Sequence, residues 1–243
     1  MTLYLNKVSL RYENGFNALR NISAQFPPGS FTALVGPSGC GKSTLLRAMA
    51  GLLRIQSGSI AAPPPNDIGF VFQEPTLMAW KSAADNIALP MKIAGFEKSE
   101  IDQRTTGALA LVGLADRANA LPRQLSGGQK MRVSLARALA KRAPVLLMDE
   151  PFAALDEMTR SKLDDDLRAI WRQQNCTIVF VTHSVTEAAF LAERALVMGS
   201  GQIITEVGIA RDGDDKNFRT SAKFQKACAD ITDALGANFE AAS

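Results

Sequence analysis

Long apolar runs are missing from this chain: nowhere do about eighteen apolar residues follow one another, so no segment qualifies as a transmembrane helix. Met1 to Leu10 lacks the basic start and apolar block of a secretory signal, and the expected location is the cytosolic side. Charge of one sign is scarce too. Lys and Arg number 27 against 24 Asp and Glu, a formal +3 without basic tracts, which argues against a nucleic-acid partner. The three cysteines, Cys40, Cys176 and Cys228, are odd in number and show no C-x-x-C spacing. That excludes a cysteine zinc site and a disulfide framework and leaves reduced thiols. There are no internal repeats and no low-complexity segments. The 243 residues, 47% of them hydrophobic, have the length and composition of one large globular domain or one and a half.

One stretch organises the rest: Gly36-Pro37-Ser38-Gly39-Cys40-Gly41-Lys42-Ser43-Thr44. An apolar run, Phe31 to Val35, precedes it as a buried strand, and Leu45 to Ala50 follows as a helix closed by Gly51. The spacing G-x-x-x-x-G-K-[ST] assigns each position a task. Gly36, Gly39 and Gly41 let the chain turn where a Cβ would clash and bring backbone N–H groups close to an anion. The new helix aims its N-terminal dipole at the same point. Lys42 can reach β- and γ-phosphates, and the Ser43 hydroxyl can ligate Mg²⁺. A glycine-rich turn without a ligand would not need the strand, helix and lysine in this register, so the stretch is expected to hold a nucleoside triphosphate. Cys40, beside Lys42 at a helix N-terminus, is expected to have a lowered pKa and thiolate character.

In chain order, Leu3 to Tyr12 alternates apolar and polar residues as a half-buried strand, with a slip at Asn6-Lys7. A turn at Glu13-Asn14-Gly15 leads to a second strand through Leu19, Ile22 and Phe26, and Pro27-Pro28-Gly29 turns into the phosphate-loop strand. Tyr12 can pack across strands or stack on a base; strand propensity favours packing. Ser57-Gly58-Ser59 reads as a turn, Pro63-Pro64-Pro65 as a stiff surface loop, and Ile68 to Phe72 as a short buried strand ending at Gln73. From Ser82 to Arg142 the patterns are helical, clearest over Ile101 to Val112 and over Gln129 to Lys141, where Met131, Leu135, Ala138 and Leu139 share a side. Strands return at Val145 to Met148 and Thr177 to Val181, separated by a helix with Leu163, Leu167, Ile170 and Trp171 on one face. Asp164-Asp165-Asp166 on that helix point in different directions and read as a solvated polar face rather than a metal site. Ala195 to Met198 and Gln202 to Val207 form a hairpin around Gly199-Ser200-Gly201, and the tail from Arg211 is polar with one weak helix.

Two further constellations carry chemistry. The strand at Val145 ends in Asp149-Glu150, and a buried strand delivers its last side chains to the edge of a sheet. Asp149 suits Mg²⁺ ligation, and Glu150 suits a general base for an attacking water. Two acids before Pro151 can also be a helix cap; beside a phosphate loop the catalytic reading prevails. Leu125-Ser126-Gly127-Gly128-Gln129 opens a helix at Ser126 and makes a second anion-binding N-terminus. Two cradles for one nucleotide make sense if the second serves another copy of the chain.

With these residues in hand, the chain resembles the ATP-binding subunit of an ABC (ATP-binding cassette) transporter over essentially its whole length. The phosphate loop Gly36 to Thr44, Gln73 after its strand, the signature Leu125 to Gln129, Asp149-Glu150, Ala154-Leu155-Asp156 and Thr182-His183 fall in family order. The signature is the most specific of them. The resemblance implies an α/β fold of the P-loop NTPase (ABC ATPase) type: a RecA-like core sheet, an N-terminal antiparallel β subdomain and an inserted helical subdomain. The single ATP-binding domain would span 1–243, with 1–72 and 143–243 forming the catalytic core with its β subdomain and 73–142 the helical signature subdomain. It implies ATP and Mg²⁺ as ligands, with Pro37, Ser38, Cys40 and Thr44 contributing to the phosphate loop. It places Tyr12 on adenine, overriding strand propensity. Lys42, Glu150 and His183, the only histidine, are the implied catalytic groups, His183 sensing the γ-phosphate. Ser43, Gln73 and Asp149 are the implied metal contacts, and Asp156 the link between two sites. Ser126, Gly127, Gly128 and Gln129 would close on ATP held by a second copy, head to tail.

The implied setting is the cytoplasmic face of the plasma membrane, where the chain is peripheral and drives solute import through a separate permease. An extracytoplasmic solute-binding protein is an indirect partner, and no nucleic acid is involved. Composition leaves Leu77, Met78 and Trp80 as either core or docking surface; the resemblance favours permease contact. Gln73 to Trp80 with Asp85 to Leu89 looks like importers of nitrate, sulfonates, taurine or thiamine precursors. Lys130-Met131 stand where the family usually has Arg-Gln, and Ala153-Ala154 where a serine is common; neither change removes a group the chemistry needs. The extra regulatory domain of some sugar importers is expected to be absent. A nucleotide kinase would leave the Ser126 signature and His183 without a role. Relatives working on DNA or ribosomes carry coiled-coil insertions or two cassettes, which this chain lacks.

Overall fold

In the computed structural model, residues 2–153, 155–211 and 217–240 are described. Ala154 of the Ala154-Leu155-Asp156 motif and parts of the tail, 212–216 and 241–243, lie outside them. The elements run β1 (Leu3–Arg11), β2 (Asn17–Phe26), β3 (Phe31–Val35), α1 (Lys42–Met49), β4 (Ser57–Ala61) and β5 (Ile68–Val71). Next come α2 (Ala83–Ile93), α3 (Lys98–Leu111), α4 (Gly127–Ala140), β6 (Val145–Asp149) and α5 (Glu157–Gln174). The last are β7 (Thr177–Val181), α6 (Val185–Leu191), β8 (Arg194–Gly199), β9 (Gln202–Gly208) and α7 (Ala222–Glu240). They form two compact units, Met1–Pro65 with Thr177–Ser243, and Asn66–Cys176.

The first unit holds an antiparallel sheet in the order β2-β1-β4. The slip at Asn6-Lys7 is a bulge: the pairing of β1 with β2 shifts between Leu5 and Val8, and Lys7 takes φ +50°. The Ser57-Gly58-Ser59 turn is overturned, because these residues begin strand β4 and pair with β1, Ser59 opposite Asn6 and Ser57 opposite Ser9. Only glycine fits at position 58. Its φ is +88°, and a Cβ would lie 2.3 Å from the Lys7 carbonyl oxygen. A glycine between serines signals a turn by composition, and here it marks close backbone approach to a bulge instead.

In the same unit β7, β3 and β8 pair in parallel and β9 closes antiparallel on β8. Every residue of β3 and β7 is buried, as expected of parallel strands covered on both faces. Helix α1 packs on β7, and α6 packs on β3. The tail is more structured than its composition implies. Helix α7 packs on α6, β8 and β9, with Ala227 and Ile231 buried.

In the second unit β5 and β6 pair in parallel, and α2, α3 and α4 pack on one another. From Ser82 to Arg142 there are helices and no strand, as the periodicity predicts. Met131, Leu135, Ala138 and Leu139 are all buried. Strand β5 is less buried than expected, with Ile68 and Phe70 half-buried and Phe70 and Phe72 in ring contact. On α5, Leu163, Leu167 and Ile170 are buried as their spacing implies, and Asn175 at φ +49° closes the helix on the Trp171 carbonyl. The solvated reading of the aspartate run holds for exposed Asp165 but fails for Asp164, 1% exposed. Asp164 directly follows Leu163, on the flank of the apolar stripe.

Candidate functional site

The phosphate loop of the first unit is shaped by two glycines that face other backbone. Gly36 has φ +152°, and a Cβ there would lie 2.2 Å from the Met198 carbonyl oxygen; Gly41 has φ +103°, and its Cβ would lie 2.4 Å from the Ala18 carbonyl oxygen. Gly39 differs: the space beside it is open, and its requirement is the φ of +78° alone. Gly41 also stands at the N-cap of α1 and has no side chain with which to cap it. The N-terminal end of α1 therefore carries no side-chain cap, and its dipole is directed into the loop, the electrostatics an anion requires.

Lys42, 5% exposed, folds back into this loop. Its Nζ donates to the carbonyl oxygens of Gly36 at 2.8 Å and Pro37 at 2.9 Å and lies 3.8 Å from Cys40 Sγ. A buried ammonium needs such partners, and phosphate oxygens can replace them one for one. The expected thiolate at Cys40 is overturned. The side chain is 5% exposed, and burial pushes its pKa up in spite of the opposing charge of Lys42. Desolvation of the thiolate outweighs the nearby ammonium and the helix end. Tyr12 is 37% exposed, and its hydroxyl shares a 3.0 Å hydrogen bond with Thr44 Oγ1. His183 is exposed just past β7, and Ser184 caps α6 by accepting from Glu187 N at 3.2 Å.

In the second unit β6 ends on Asp149, fully buried. The next residue, Glu150, takes φ +49°, rare for a side chain of its size. Gln73 Nε2 donates to Glu150 Oε2 at 3.4 Å, which leaves the Gln73 amide oxygen as an acceptor. At the start of α4 the cap is reciprocal. Ser126 Oγ accepts from Gln129 N at 3.2 Å, and Gln129 Oε1 accepts from Ser126 N at 2.9 Å. Gly127 and Gly128 follow in the first turn, with open space beside Gly127. Asp156 caps α5: its Oδ1 accepts from Thr159 N at 3.0 Å, which holds the carboxyl below its ordinary pKa.

The segment from Gln73 to Ser82 is pinned by residues that no motif identifies. Arg137 donates to the carbonyls of Pro75 and Thr76, and burial lowers its pKa. Asn86 is fully buried; its Oδ1 accepts from Met78 N at 2.7 Å and its Nδ2 donates to Met78, Lys81 and Ser82 carbonyls. Held this way, Leu77 and Met78 are half-buried, and Trp80 is 75% exposed. A polar residue inside an otherwise apolar helical window was the available signal for Asn86.

Residues 19–153 match the sequence profile of the family described as ABC transporter. The taurine import ATP-binding protein TauB of Rhizobium johnstonii is 41% identical over 228 residues, covering 88% of this chain and 87% of that protein. The aliphatic sulfonates import ATP-binding protein SsuB 1 of Pseudomonas fluorescens is 45% identical, covering 80% of this chain and 73% of that protein. The dimeric structure of the ATP-binding cassette MJ0796 in a post-hydrolysis state with ADP and Pi superposes with a TM-score of 0.81. It is 31% identical and covers 86% of this chain and 100% of that one. The glycine-shaped phosphate loop, the capped signature helix and these similarities together place the chain in the ABC transporter family, as an ATP-binding cassette of α/β fold.

Proposed function

We propose that this chain is the ATPase subunit of an importer and works as a pair of copies on a separate membrane permease. The observation that carries the reading is the phosphate loop: a buried Lys42 ammonium held by exchangeable carbonyl oxygens and near a thiol, beside a helix N-terminus without a side-chain cap. The γ-phosphate of ATP displaces the loop carbonyls from Lys42. Tyr12 stacks on the base, and the backbone of Gly36 to Thr44 wraps the phosphates. Ser43 hydroxyl, Gln73 amide oxygen and Asp149 carboxylate are all hard oxygen donors, the set that suits Mg²⁺. When bound, Mg²⁺ neutralises charge on the transferring phosphoryl group. Glu150 is the general base that orients water, and His183 meets the γ-phosphate.

Ser126, Gly127, Gly128 and Gln129 act on the nucleotide of the second copy, with Asp156 linking the two sites. The dimeric state named for the MJ0796 cassette supports this arrangement. Among the described residues no helix is long and apolar enough to cross a membrane. In this reading association is peripheral, on the cytoplasmic face, with Leu77, Met78 and Trp80 against the permease. The solute is an organic sulfonate of the taurine or alkanesulfonate type, delivered outside by a binding protein; the names of the two bacterial relatives support that class. The test is reconstitution with a permease and a solute-binding protein from the same genome. ATP-dependent uptake of taurine or an alkanesulfonate into vesicles is expected, and uptake that ignores sulfonates overturns the cargo. Absence of Mg²⁺-ATP hydrolysis by the reconstituted complex overturns the whole reading.

A further inference from the structure

Glu187 is a charged side chain that the proposed chemistry leaves idle, yet it is 6% exposed. It stands in the first turn of α6, four residues past His183. Ser184-Val185-Thr186-Glu187 spells a reciprocal cap, in which the glutamate takes the N–H of the capping serine. Here a third side chain is interposed. Ser184 N donates to Thr182 Oγ1 at 3.0 Å, and Thr182 Oγ1 in turn donates to Glu187 Oε2. Thr182 is 3% exposed, so the relay lies away from water, where a bond to a carboxylate is strongest. Thr182 N also donates to the Leu34 carbonyl at 3.2 Å, tying the turn to β3, the strand that feeds the phosphate loop.

His183 is the one residue between Thr182 and Ser184, which the relay ties together. Its neighbours on both sides are fixed to one carboxylate, while its own side chain is exposed. We propose that Glu187 is a positioning residue for His183: acting through Thr182, it holds the turn so that the imidazole is presented in one place. The inference rests on the reading of His183 as the group that meets the γ-phosphate. Without the carboxylate, the buried Thr182 hydroxyl loses its acceptor and rotates, and the Ser184 N–H loses its own. The His183 turn then samples several positions, and each turnover must order it again.

A chain with one histidine gives one imidazole Cε1–Hε1 signal in a ¹³C-histidine NMR spectrum. Glu187→Ala and Thr182→Val are each expected to shift or broaden that signal. In the permease complex each is expected to lower kcat for ATP roughly ten- to hundredfold with KM little changed. Glu187→Gln, whose amide oxygen still accepts from Thr182, is expected to keep the wild-type signal and most of kcat. The double variant Glu187→Ala/Thr182→Val should be no worse than either single one. An unmoved histidine signal in the folded variants, or additive losses in the double variant, overturns the proposal. If Glu187→Ala does not fold, the Thr182→Val signal decides in the same way. His183→Ala separates the two readings. Undiminished hydrolysis there removes His183 from the chemistry, while the NMR signal still reports whether Glu187 positions it.

Discussion

Gln73 and Glu150 meet through a 3.4 Å hydrogen bond, Nε2 to Oε2, with the Glu150 backbone in the left-handed region at φ +49°. The carboxylate is thus aimed by its own strained backbone and steadied by an amide, which suits a base that must hold one water. Glu150→Gln keeps the shape and removes the basicity. It is expected to bind ATP normally and to hydrolyse about 10²–10⁴-fold more slowly. With the γ-phosphate uncleaved, an ATP-bound dimer should accumulate in size-exclusion chromatography. Hydrolysis near the wild-type rate would remove Glu150 from the role.

The three phosphate-loop glycines are expected to differ in their tolerance of alanine. At Gly41 and Gly36 a Cβ meets a carbonyl oxygen at 2.4 and 2.2 Å, so Gly41→Ala and Gly36→Ala must displace backbone and should greatly lower the urea midpoint. Gly39→Ala meets nothing and costs only the left-handed φ, about 1–2 kcal/mol. Equal destabilisation at all three positions would contradict the geometry.

Thiol labelling gives a pH test. Burial raises the pKa of all three cysteines, that of Cys176 to about 11. A raised pKa means less thiolate at neutral pH, so maleimide modification should accelerate as pH rises toward and beyond 9, the ordinary thiol value. Half-buried Cys228 should react first and Cys176 last, as read by mass spectrometry. Rapid modification of Cys40 at pH 7 would show the lysine overcoming burial after all.

Trp80 and Asn86 should separate docking from folding. Trp80 is 75% exposed, so Trp80→Ala should change stability by only about 0.5 kcal/mol while weakening co-purification with the permease. Asn86→Ala removes four hydrogen bonds from the 78–82 loop; the Met78 and Ser82 carbonyls keep the backbone donors Lys81 N and Asn86 N, while the Met78 N–H and the Lys81 carbonyl lose their partner, a cost of about 1–3 kcal/mol, visible as a lower Tm. A sharp loss of Tm in Trp80→Ala with unchanged pull-down would make Trp80 a core residue.

Local features were legible because their causes are local. The phosphate loop, the Ser126 cap, the hairpin after Arg194 and the bulge at Lys7 each follow from spacing or from a break in alternation over a few residues. The buried faces of α4 and α5 follow from helical period. These depend on steric rules and on hydrogen bonds between near neighbours.

Tertiary structure decided whatever depends on what lies across space. Ser57 to Ser59 joins a sheet because β1 offers an edge, and Gly58 is required by the Lys7 carbonyl rather than by a turn. Tyr12 is partly exposed, and its hydroxyl finds Thr44, 32 residues away. Cys40 is held neutral by burial that no stretch of sequence announces, and desolvation there outweighs the lysine two residues on. By itself the sequence determined which residues could bind phosphate, cap helices and form strands; long-range packing determined their solvation, and solvation sets charge state and exposure.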